Sequence, residues 1–176
     1  MPELPEVETT LKGIKPYISG QKIIRLIVRQ ESLRWPVTPQ MSSIVQQQTV
    51  IEVSRRAKYL IIQLSHGSIL VHLGMSGSLR ITETSIEWRK HDHIELQLAN
   101  GATLRYHDPR RFGCWLWSAE THRQLQHLGP EPLTPDFDGD RLWQLAKNKK
   151  VGVKPFIICL LYTTPSPRDP TSSRMP

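Results

Sequence analysis

Residues 59–82 read YLIIQLSHGSILVHLGMSGSLRIT. Three short runs of apolar and β-branched residues, Tyr59–Leu64, Ile69–Leu73 and Leu79–Thr82, alternate in this stretch with turn-forming residues. His66-Gly67 separates the first two runs, and a loop rich in glycine and serine separates the last two. Runs of this length, bounded by turn residues, predict three short antiparallel strands.

Further strands are predicted on both sides of this stretch. They cover residues 21–28, Val50–Val53, His93–Leu98, Thr103–Tyr106 and Cys114–Trp117, and Asn100-Gly101 is a strong hairpin-turn signal between two of them. Many short, closely spaced strands behind an N-terminal helix predict an α+β fold, with an N-terminal β-sandwich and flanking helices.

The N-terminal helix is predicted over residues 5–19. Val7, Leu11, Ile14 and Ile18 form one apolar stripe at helical spacing, and Gly20 is a stop signal. Pro16 is expected to shorten or kink this helix near its end. A second, short helix is predicted at residues 39–47.

The composition divides the chain into three parts. Residues 1–117 form the predicted sandwich domain. Residues 118–155, with helical patterns at Thr121–Leu128 and Asp140–Lys147, are predicted to be a helical connector that leaves the sandwich. Residues 156–176 begin with an apolar run and continue as a proline- and serine-rich tail, which we expect to be disordered because it cannot bury enough surface to fold.

The overall charge favours a polyanionic partner. A formal net charge of +7 and a pI near 9.7 point to nucleic acid first and to an acidic membrane surface second. No apolar run approaches the roughly 20 residues of a membrane span, and the N-terminus lacks the layout of a signal peptide. Cys114 and Cys159 have neither metal-ligand spacing nor a disulfide pattern, so we expect a reducing cytoplasm.

The first six residues, MPELPE, contain a candidate nucleophile. Removal of Met1 would leave Pro2 with a free secondary amine, and an α-amino group titrates near ~8 whereas a lysine amine titrates near ~10.4. Attack of this amine on a sugar C1′ would give a cationic iminium, with Glu3 and Glu6 as proton donor and electrostatic partner. The alternative is that Pro2 and Pro5 merely start a helix.

Two further stretches allow a functional and a structural interpretation. We assign Arg55-Arg56-Ala57-Lys58-Tyr59 to the beginning of a strand. Its cations form either a phosphate clamp, with Lys58 near the reacting sugar, or the charged edge of a sheet. The loop after His72 contains Met75 between glycines. Either Met75 enters a base stack in DNA, or it fills the core of the protein.

Two basic segments and a histidine pair have the same ambiguity. In DPRRFG, residues 108–113, Arg110 and Phe112 could contact phosphates and stack on bases, or Phe112 could be buried in a charged turn. Lys147, Lys149, Lys150 and Lys154 favour phosphate contact over a solvated helix end. In His91-Asp92-His93, a hydrogen-bonded pair or a phosphate contact from His91 is favoured over a zinc site.

Five ordered motifs carry a resemblance to a known family. The motifs are PELPEVET at 2–9, RRAKYL at 55–60, HLGMSGSLR at 72–80, KHDH at 90–93 and DPRRFG at 108–113. Together they resemble formamidopyrimidine-DNA glycosylases, and the resemblance covers residues 2 to about 155. This bacterial base-excision family removes 8-oxoguanine and ring-opened purines. The resemblance implies a bifunctional glycosylase/AP lyase acting on double-stranded DNA that contains oxidised purines or abasic sites.

The resemblance also implies a role for individual residues. Pro2 corresponds to the Schiff-base nucleophile, Glu3 to the acid that assists sugar-ring opening, and Lys58 to a proton donor in β-elimination or a phosphate contact. Met75, Arg110 and Phe112 correspond to the three side chains that fill the space left by the flipped base. Further DNA-contact positions of the family correspond to His72, His91 and Lys150.

The resemblance stops where the family continues into a helix–two-turn–helix domain and a zinc finger. We therefore expect no cofactor in this chain, since the zinc site would lie in the missing part, and we expect a cytoplasmic monomer. Residues from about 157 are interpreted as frameshifted or adapter-derived, and the 176-residue chain is expected to bind DNA weakly with little or no activity. A non-catalytic DNA-binding module and a purely structural sandwich remain the alternatives.

Overall fold

A computed structural model describes residues 2–126, 128–129, 131, 134–135, 137–152 and 156. The chain forms two compact units, Met1–Thr121 and His122–Pro176. Met1 and Lys154 lie outside the described residues. The tail predicted to be disordered, residues 156–176, also lies outside them, except for Phe156.

Helix α1 (Leu4–Ile18) begins the first unit. Glu3 is its N-cap and forms a capping box with Glu6, and Pro5 lies in the first turn, where its missing N–H costs nothing. Val7, Ile14 and Ile18 are buried, which confirms the predicted apolar stripe. The helix continues through Pro16 for two further residues, because a proline this close to the end removes a single backbone hydrogen bond.

Two four-stranded antiparallel sheets form the predicted sandwich. The first sheet has the order β1-β6-β7-β5 and the second the order β2-β3-β4-β8. The strands are β1 (Ile23–Val28), β2 (Val50–Arg56), β3 (Tyr59–Leu64), β4 (Ser68–His72), β5 (Ser78–Glu83), β6 (Asp92–Leu98), β7 (Ala102–His107) and β8 (Cys114–Ser118).

The predicted strands and hairpins are confirmed, with shifted ends. The His66-Gly67 turn connects β3 to β4, and the Asn100-Gly101 turn connects β6 to β7. The short helix predicted at 39–47 is α2 (Met41–Val45). One assignment is wrong: residues 55–59 do not begin a strand but form the β2–β3 hairpin, in which Ala57-Lys58 is the two-residue turn between paired Arg56 and Tyr59.

The hydrophobic core of the sandwich is formed by apolar side chains from α1, α2 and both sheets. Strand β4 is buried along its whole length, whereas β5 is largely exposed or half-buried, as expected for a strand at the sheet edge. Trp115 and Tyr106 are among the largest fully buried side chains, and their rings lie 5.8 Å apart. This core fixes the positions of the strand ends that the loops described below connect.

A buried ion pair crosses the first sheet. Arg105 of β7 and Glu95 of β6 are direct cross-strand partners, and both are almost completely buried. The Arg105 guanidinium donates to Glu95 and also to the carbonyls of Ile86 and Glu87, at 2.9 and 3.0 Å. The pair therefore attaches the β5–β6 connection to the sheet.

The second unit contains α3 (Arg123–Gln126) and α4 (Gly139–Ala146). Both predicted helices are thus confirmed, the first in shorter form and the second with the same length but shifted by one residue. Asp138 caps α4, its carboxylate accepting the Arg141 backbone N–H at 2.8 Å. Among the residues that the structure describes, no helix is long and apolar enough to cross a membrane.

Candidate functional site

Three loops meet at one end of the β2-β3-β4-β8 sheet. The β2–β3 turn lies there because Arg56 pairs with Tyr59. Tyr59 pairs in turn with His72 at the end of β4, and His72 pairs with Cys114 at the start of β8. The loop at 73–77 and the loop at 108–113 therefore lie next to the Ala57-Lys58 turn.

The N-terminus is held at the same end of this sheet. The Lys58 ammonium lies 2.7 Å from the Glu3 carboxylate, and Lys58 is only 8% exposed. The Glu6 carboxylate accepts the Glu3 backbone N–H at 2.5 Å. Glu6 thus holds the backbone immediately after Pro2, while Lys58 holds the neighbouring side chain; Pro2 itself is half-buried.

A second ion pair joins α1 to the β2–β3 hairpin. The Arg55 guanidinium donates to Glu8 at 3.0 Å and to the Ala57 carbonyl at 2.9 Å. The hydrogen bond from Arg55 lowers the pKa of Glu8. Arg55 therefore helps to position the turn that carries Lys58, so its guanidinium is already engaged by the protein.

A buried carboxylate connects the loops at 73–77 and 108–113. Asp108 is 0% exposed, and its Oδ1 accepts the Ser76 hydroxyl at 2.8 Å. Its Oδ2 accepts the Tyr106 hydroxyl at 2.8 Å and the Gly113 N–H at 2.9 Å. Asp108 thus contacts both loops and the end of β7.

Gly74 brings the backbones of these two loops into direct contact. Its φ is +64°, and a Cβ added there would lie 2.4 Å from the Phe112 carbonyl carbon and 2.5 Å from the Gly113 nitrogen. Both the backbone conformation and the available space therefore require glycine.

Substituting Gly74→Ala is expected to destabilise the protein by about 2–4 kcal/mol, because a left-handed backbone cost of about 1–2 kcal/mol adds to a clash with backbone atoms. Gly101→Ala is the matched control, since Gly101 has φ +84° but nothing within 4 Å of its added Cβ. Urea unfolding of both variants measures the difference. Equal losses in the two would show that the two loops do not pack as described.

Three loop side chains, Met75, Arg110 and Phe112, differ in exposure. Phe112 is 41% exposed, so the interpretation in which Phe112 is buried in a charged turn is wrong. The exposed Arg110 guanidinium lies 5.0 Å from the Phe112 ring centre, a cation–π arrangement. Met75 is half-buried, between Gly74 and Ser76. An arginine, an aromatic ring and a thioether therefore lie on adjoining loops.

His72 is buried beneath the 73–77 loop. Its Nδ1 accepts the Gly74 N–H at 3.0 Å, which places the ring proton on Nε2. Burial, together with the charges of Arg34 and Lys58, lowers the pKa of His72 to about 4. His72 is thus neutral at neutral pH, and any contact that it makes with DNA is that of a neutral donor.

The His91-Asp92-His93 segment forms hydrogen bonds within the protein. Burial opposes ionisation of Asp92, but hydrogen bonds from Arg80, the Arg89 backbone and His107 outweigh it and lower the pKa of Asp92 to about 2. His93 Nε2 donates to the Asp108 carbonyl at 2.7 Å, and half-buried His91 lies beside this contact. In the described part of the chain, no group of three or more His, Cys, Asp or Glu side chains is arranged so that it could hold a metal ion.

The lysine-rich segment belongs to the second unit. Lys147, Lys149 and Lys150 are exposed at and beyond the end of α4, and Lys147 lies 5.4 Å from the Trp143 ring centre. Phosphate contact by Lys150 stays a prediction. The same prediction for Lys154 falls outside the described residues.

Sequence reasoning missed three residues that organise the site. Glu8 binds Arg55, while Ser76 and Asp108 connect the two loops. Glu8 lies in PELPEVET, Asp108 begins the DPRRFG motif and Ser76 lies between Met75 and Gly77, so all three were within segments already singled out. The sequence signal that could have identified Ser76 and Asp108 is a polar residue inside an otherwise glycine-rich or cationic loop.

Comparison with known proteins identifies the family. The sequence model described as "Formamidopyrimidine-DNA glycosylase N-terminal domain" matches residues 1–115. The chain belongs to the formamidopyrimidine-DNA glycosylase family. It is 51% identical over 160 residues to formamidopyrimidine-DNA glycosylases of Pseudomonas fluorescens (strain SBW25) and Escherichia coli O7:K1 (strain IAI39 / ExPEC). These matches cover 90% of this chain and 59% of each relative, so the chain spans well under two thirds of their length.

Solved structures of the same family share the fold. The Lactococcus lactis formamidopyrimidine-DNA glycosylase bound non-covalently to DNA containing an AP site is 29% identical, with a TM-score of 0.79, and the match covers 90% of this chain and 63% of that one. A mutant of the Lactococcus lactis enzyme in complex with a Fapy-dG containing DNA is 31% identical, also with a TM-score of 0.79, covering 90% and 60%. The sandwich described above is therefore the fold of this glycosylase family.

Proposed function

We propose that this chain carries the catalytic half of a bifunctional DNA glycosylase/AP lyase of base-excision repair. The proposed substrate is double-stranded DNA containing 8-oxoguanine, a formamidopyrimidine or an abasic site. The proposal rests chiefly on one observation: the Lys58–Glu3 contact of 2.7 Å holds the N-terminus beside the loops of Met75 and Phe112. The relatives' names and the lesion-containing DNA in the solved complexes support the substrate class.

In the proposed reaction, the Pro2 nitrogen is the nucleophile. It forms a bond to C1′ while the glycosidic bond breaks, and the damaged base leaves with the electron pair of that bond and takes up the proton that the Pro2 nitrogen loses. The sugar ring opens to an iminium, and Glu3 supplies the proton for the ring oxygen. The iminium acidifies the C2′ proton; its loss breaks the C3′–O bond and cuts the strand on the 3′ side, and δ-elimination on the 5′ side can follow.

The remaining residues position this chemistry. Lys58 holds the Glu3 carboxylate, and Glu6 holds the Glu3 backbone. We assign to Lys58 the donation of a proton during elimination or the contact with a phosphate. Because a base inside the duplex is inaccessible to Pro2, the nucleotide must be flipped, which costs a few kcal/mol. We assign Met75, Arg110 and Phe112 to the space that the flipped base leaves, with Arg110 bonding the orphaned cytosine.

The proposed partner and location follow from the same chemistry. The positive charge of the chain, +7 at neutral pH, suits a phosphate backbone. We propose a cytoplasmic monomer that acts on DNA without a membrane partner. The lysine-rich segment that includes Lys150 and Lys154 would add phosphate contacts.

The test is strand cleavage of a short duplex with one 8-oxoguanine or formamidopyrimidine opposite cytosine, with undamaged duplex as the control. We expect cleavage only at the lesion and with little activity compared with a full-length relative, because the match covers only 59% of the relatives' length and so offers fewer phosphate contacts. Salt-dependent binding of both duplexes without any cleavage would instead favour a non-catalytic DNA-binding module of the same fold.

A further inference from the structure

The loop of Met75 and the loop of Arg110 and Phe112 are hydrogen-bonded to each other in the free protein. The Ser76 hydroxyl donates to Asp108 Oδ1 at 2.8 Å, and the Ser76 oxygen accepts the Arg110 N–H at 3.3 Å. Ser76 therefore contacts the beginning of the 108–113 loop through both its proton and its lone pair. A hydroxyl can do this because it is at once a donor and an acceptor.

The Asp108 carboxylate is the anchor of this contact. It has no exposed surface, and it accepts hydrogen bonds from Tyr106 of β7 and from Gly113 as well as from Ser76. Since the carboxylate is inaccessible, it cannot touch DNA directly. Any influence of Asp108 on DNA binding must therefore act through the two loops.

The conformation between these contacts is strained. Arg111 has φ +57°, a left-handed conformation that a non-glycine residue adopts at a cost. It lies between Arg110, which is bound to Ser76, and Gly113, which is bound to Asp108. These bonds, with the Gly74–Phe112 backbone contact, hold the strained loop in one shape.

We propose that Ser76 and Asp108 are positioning residues that couple the two loops, so that Met75, Arg110 and Phe112 enter damaged DNA as one preformed wedge. The inference rests on the proposed function above. A preformed wedge has less conformational entropy to lose on binding, so the coupling contributes to affinity for DNA with a missing base. No wedge enters an undamaged duplex, so the coupling does not contribute to the affinity for undamaged DNA.

The test compares Ser76→Ala with two controls in the full 176-residue chain. Ser76→Thr keeps a hydroxyl at the same position. Ser78→Ala removes an exposed hydroxyl two residues further along the chain, at the start of β5 and outside both loops. Each protein is titrated with a duplex that contains an abasic-site analogue next to 2-aminopurine, and with the matched undamaged duplex, while anisotropy reports affinity and 2-aminopurine fluorescence reports unstacking.

We expect Ser76→Ala to weaken binding of the abasic duplex about 3- to 10-fold, with a smaller fluorescence rise and unchanged affinity for undamaged duplex. Ser76→Thr and Ser78→Ala should behave like the wild type. In the DNA-free protein, amide hydrogen exchange at residues 108–113 should be faster in Ser76→Ala alone, which reports the loss of coupling independently of DNA.

Three results would overturn the coupling. One is a Ser76→Ala variant that matches the wild type in binding and exchange; another is an equal loss of affinity on both duplexes; the third is a Ser76→Thr variant as weak as Ser76→Ala. A wild type that neither prefers the abasic duplex nor raises the fluorescence would overturn the proposed function and, with it, the coupling.

Discussion

Replacing Pro2 by leucine is expected to slow strand cleavage at an abasic site by a factor on the order of 10³ or more. A bulky second residue prevents removal of Met1, so the chain would begin one residue earlier with a primary amine. The nucleophile would then be displaced from the position that Glu3 and Lys58 define through their 2.7 Å contact. Single-turnover cleavage of an abasic-site duplex measures the rate, and intact-mass spectrometry establishes whether Met1 is retained.

Two further variants separate the nucleophile from the helix terminus. Pro5→Ala changes the other proline of the first turn and should leave the rate within a few-fold of wild type, because Pro5 is part of α1 and supplies no amine. Pro2→Gly permits removal of Met1 but leaves a primary amine, whose imine must first be protonated, so its rate should be intermediate. If Pro2→Leu retained Met1 and still cleaved at the wild-type rate, Pro2 would not be the nucleophile.

Replacing Glu95 by alanine is expected to destabilise the protein by about 3–5 kcal/mol, the range for removing one partner of a buried ion pair. Arg105 and Glu95 have exposures of 0% and 1%, so water cannot replace the lost carboxylate. The Arg105 guanidinium would keep the Ile86 and Glu87 carbonyls and a longer contact with Asp92, at 3.8 Å. Urea unfolding, monitored by tryptophan fluorescence, gives the change in the free energy of unfolding.

The matched control for Glu95→Ala is Glu83→Ala, at the exposed end of β5 in the same sheet. That change should alter stability by less than about 0.5 kcal/mol. The double variant Glu95→Leu with Arg105→Met should recover only part of the loss, since an apolar pair of similar volume has no charge to desolvate but leaves the Ile86 and Glu87 carbonyls without their donor. A loss of under about 1 kcal/mol for Glu95→Ala would show that the pair does not stabilise the sheet.

The sandwich could be predicted because its signals are local. Apolar runs such as Tyr59–Leu64, bounded by turns such as His66-Gly67 and Asn100-Gly101, indicate strands without any knowledge of their partners. The β2–β3 hairpin was misassigned for the same reason: its turn is Ala57-Lys58, with Ala57 at φ +49°, a conformation usually marked by glycine or asparagine.

The contacts of the site could not be predicted because they depend on burial and on long-range pairing. Aspartate and arginine are almost always exposed, so nothing local shows that Asp108 and Arg105 are completely buried. The Lys58–Glu3 contact depends on how α1 packs against β2 and β3, which neither segment encodes alone. The motif residues Met75, Arg110 and Phe112 could be singled out, but not the Ser76–Asp108 hydrogen bond beneath them.

Borohydride trapping on an abasic-site duplex tests most directly whether the N-terminal amine is the nucleophile. Reduction of the iminium would leave a stable protein–DNA adduct, and proteolysis followed by mass spectrometry would locate the modified nitrogen. We expect an adduct confined to the N-terminal peptide that begins with Pro2. An adduct on Lys58 or on another lysine, or no adduct from a chain shown to have lost Met1, would contradict the proposed mechanism.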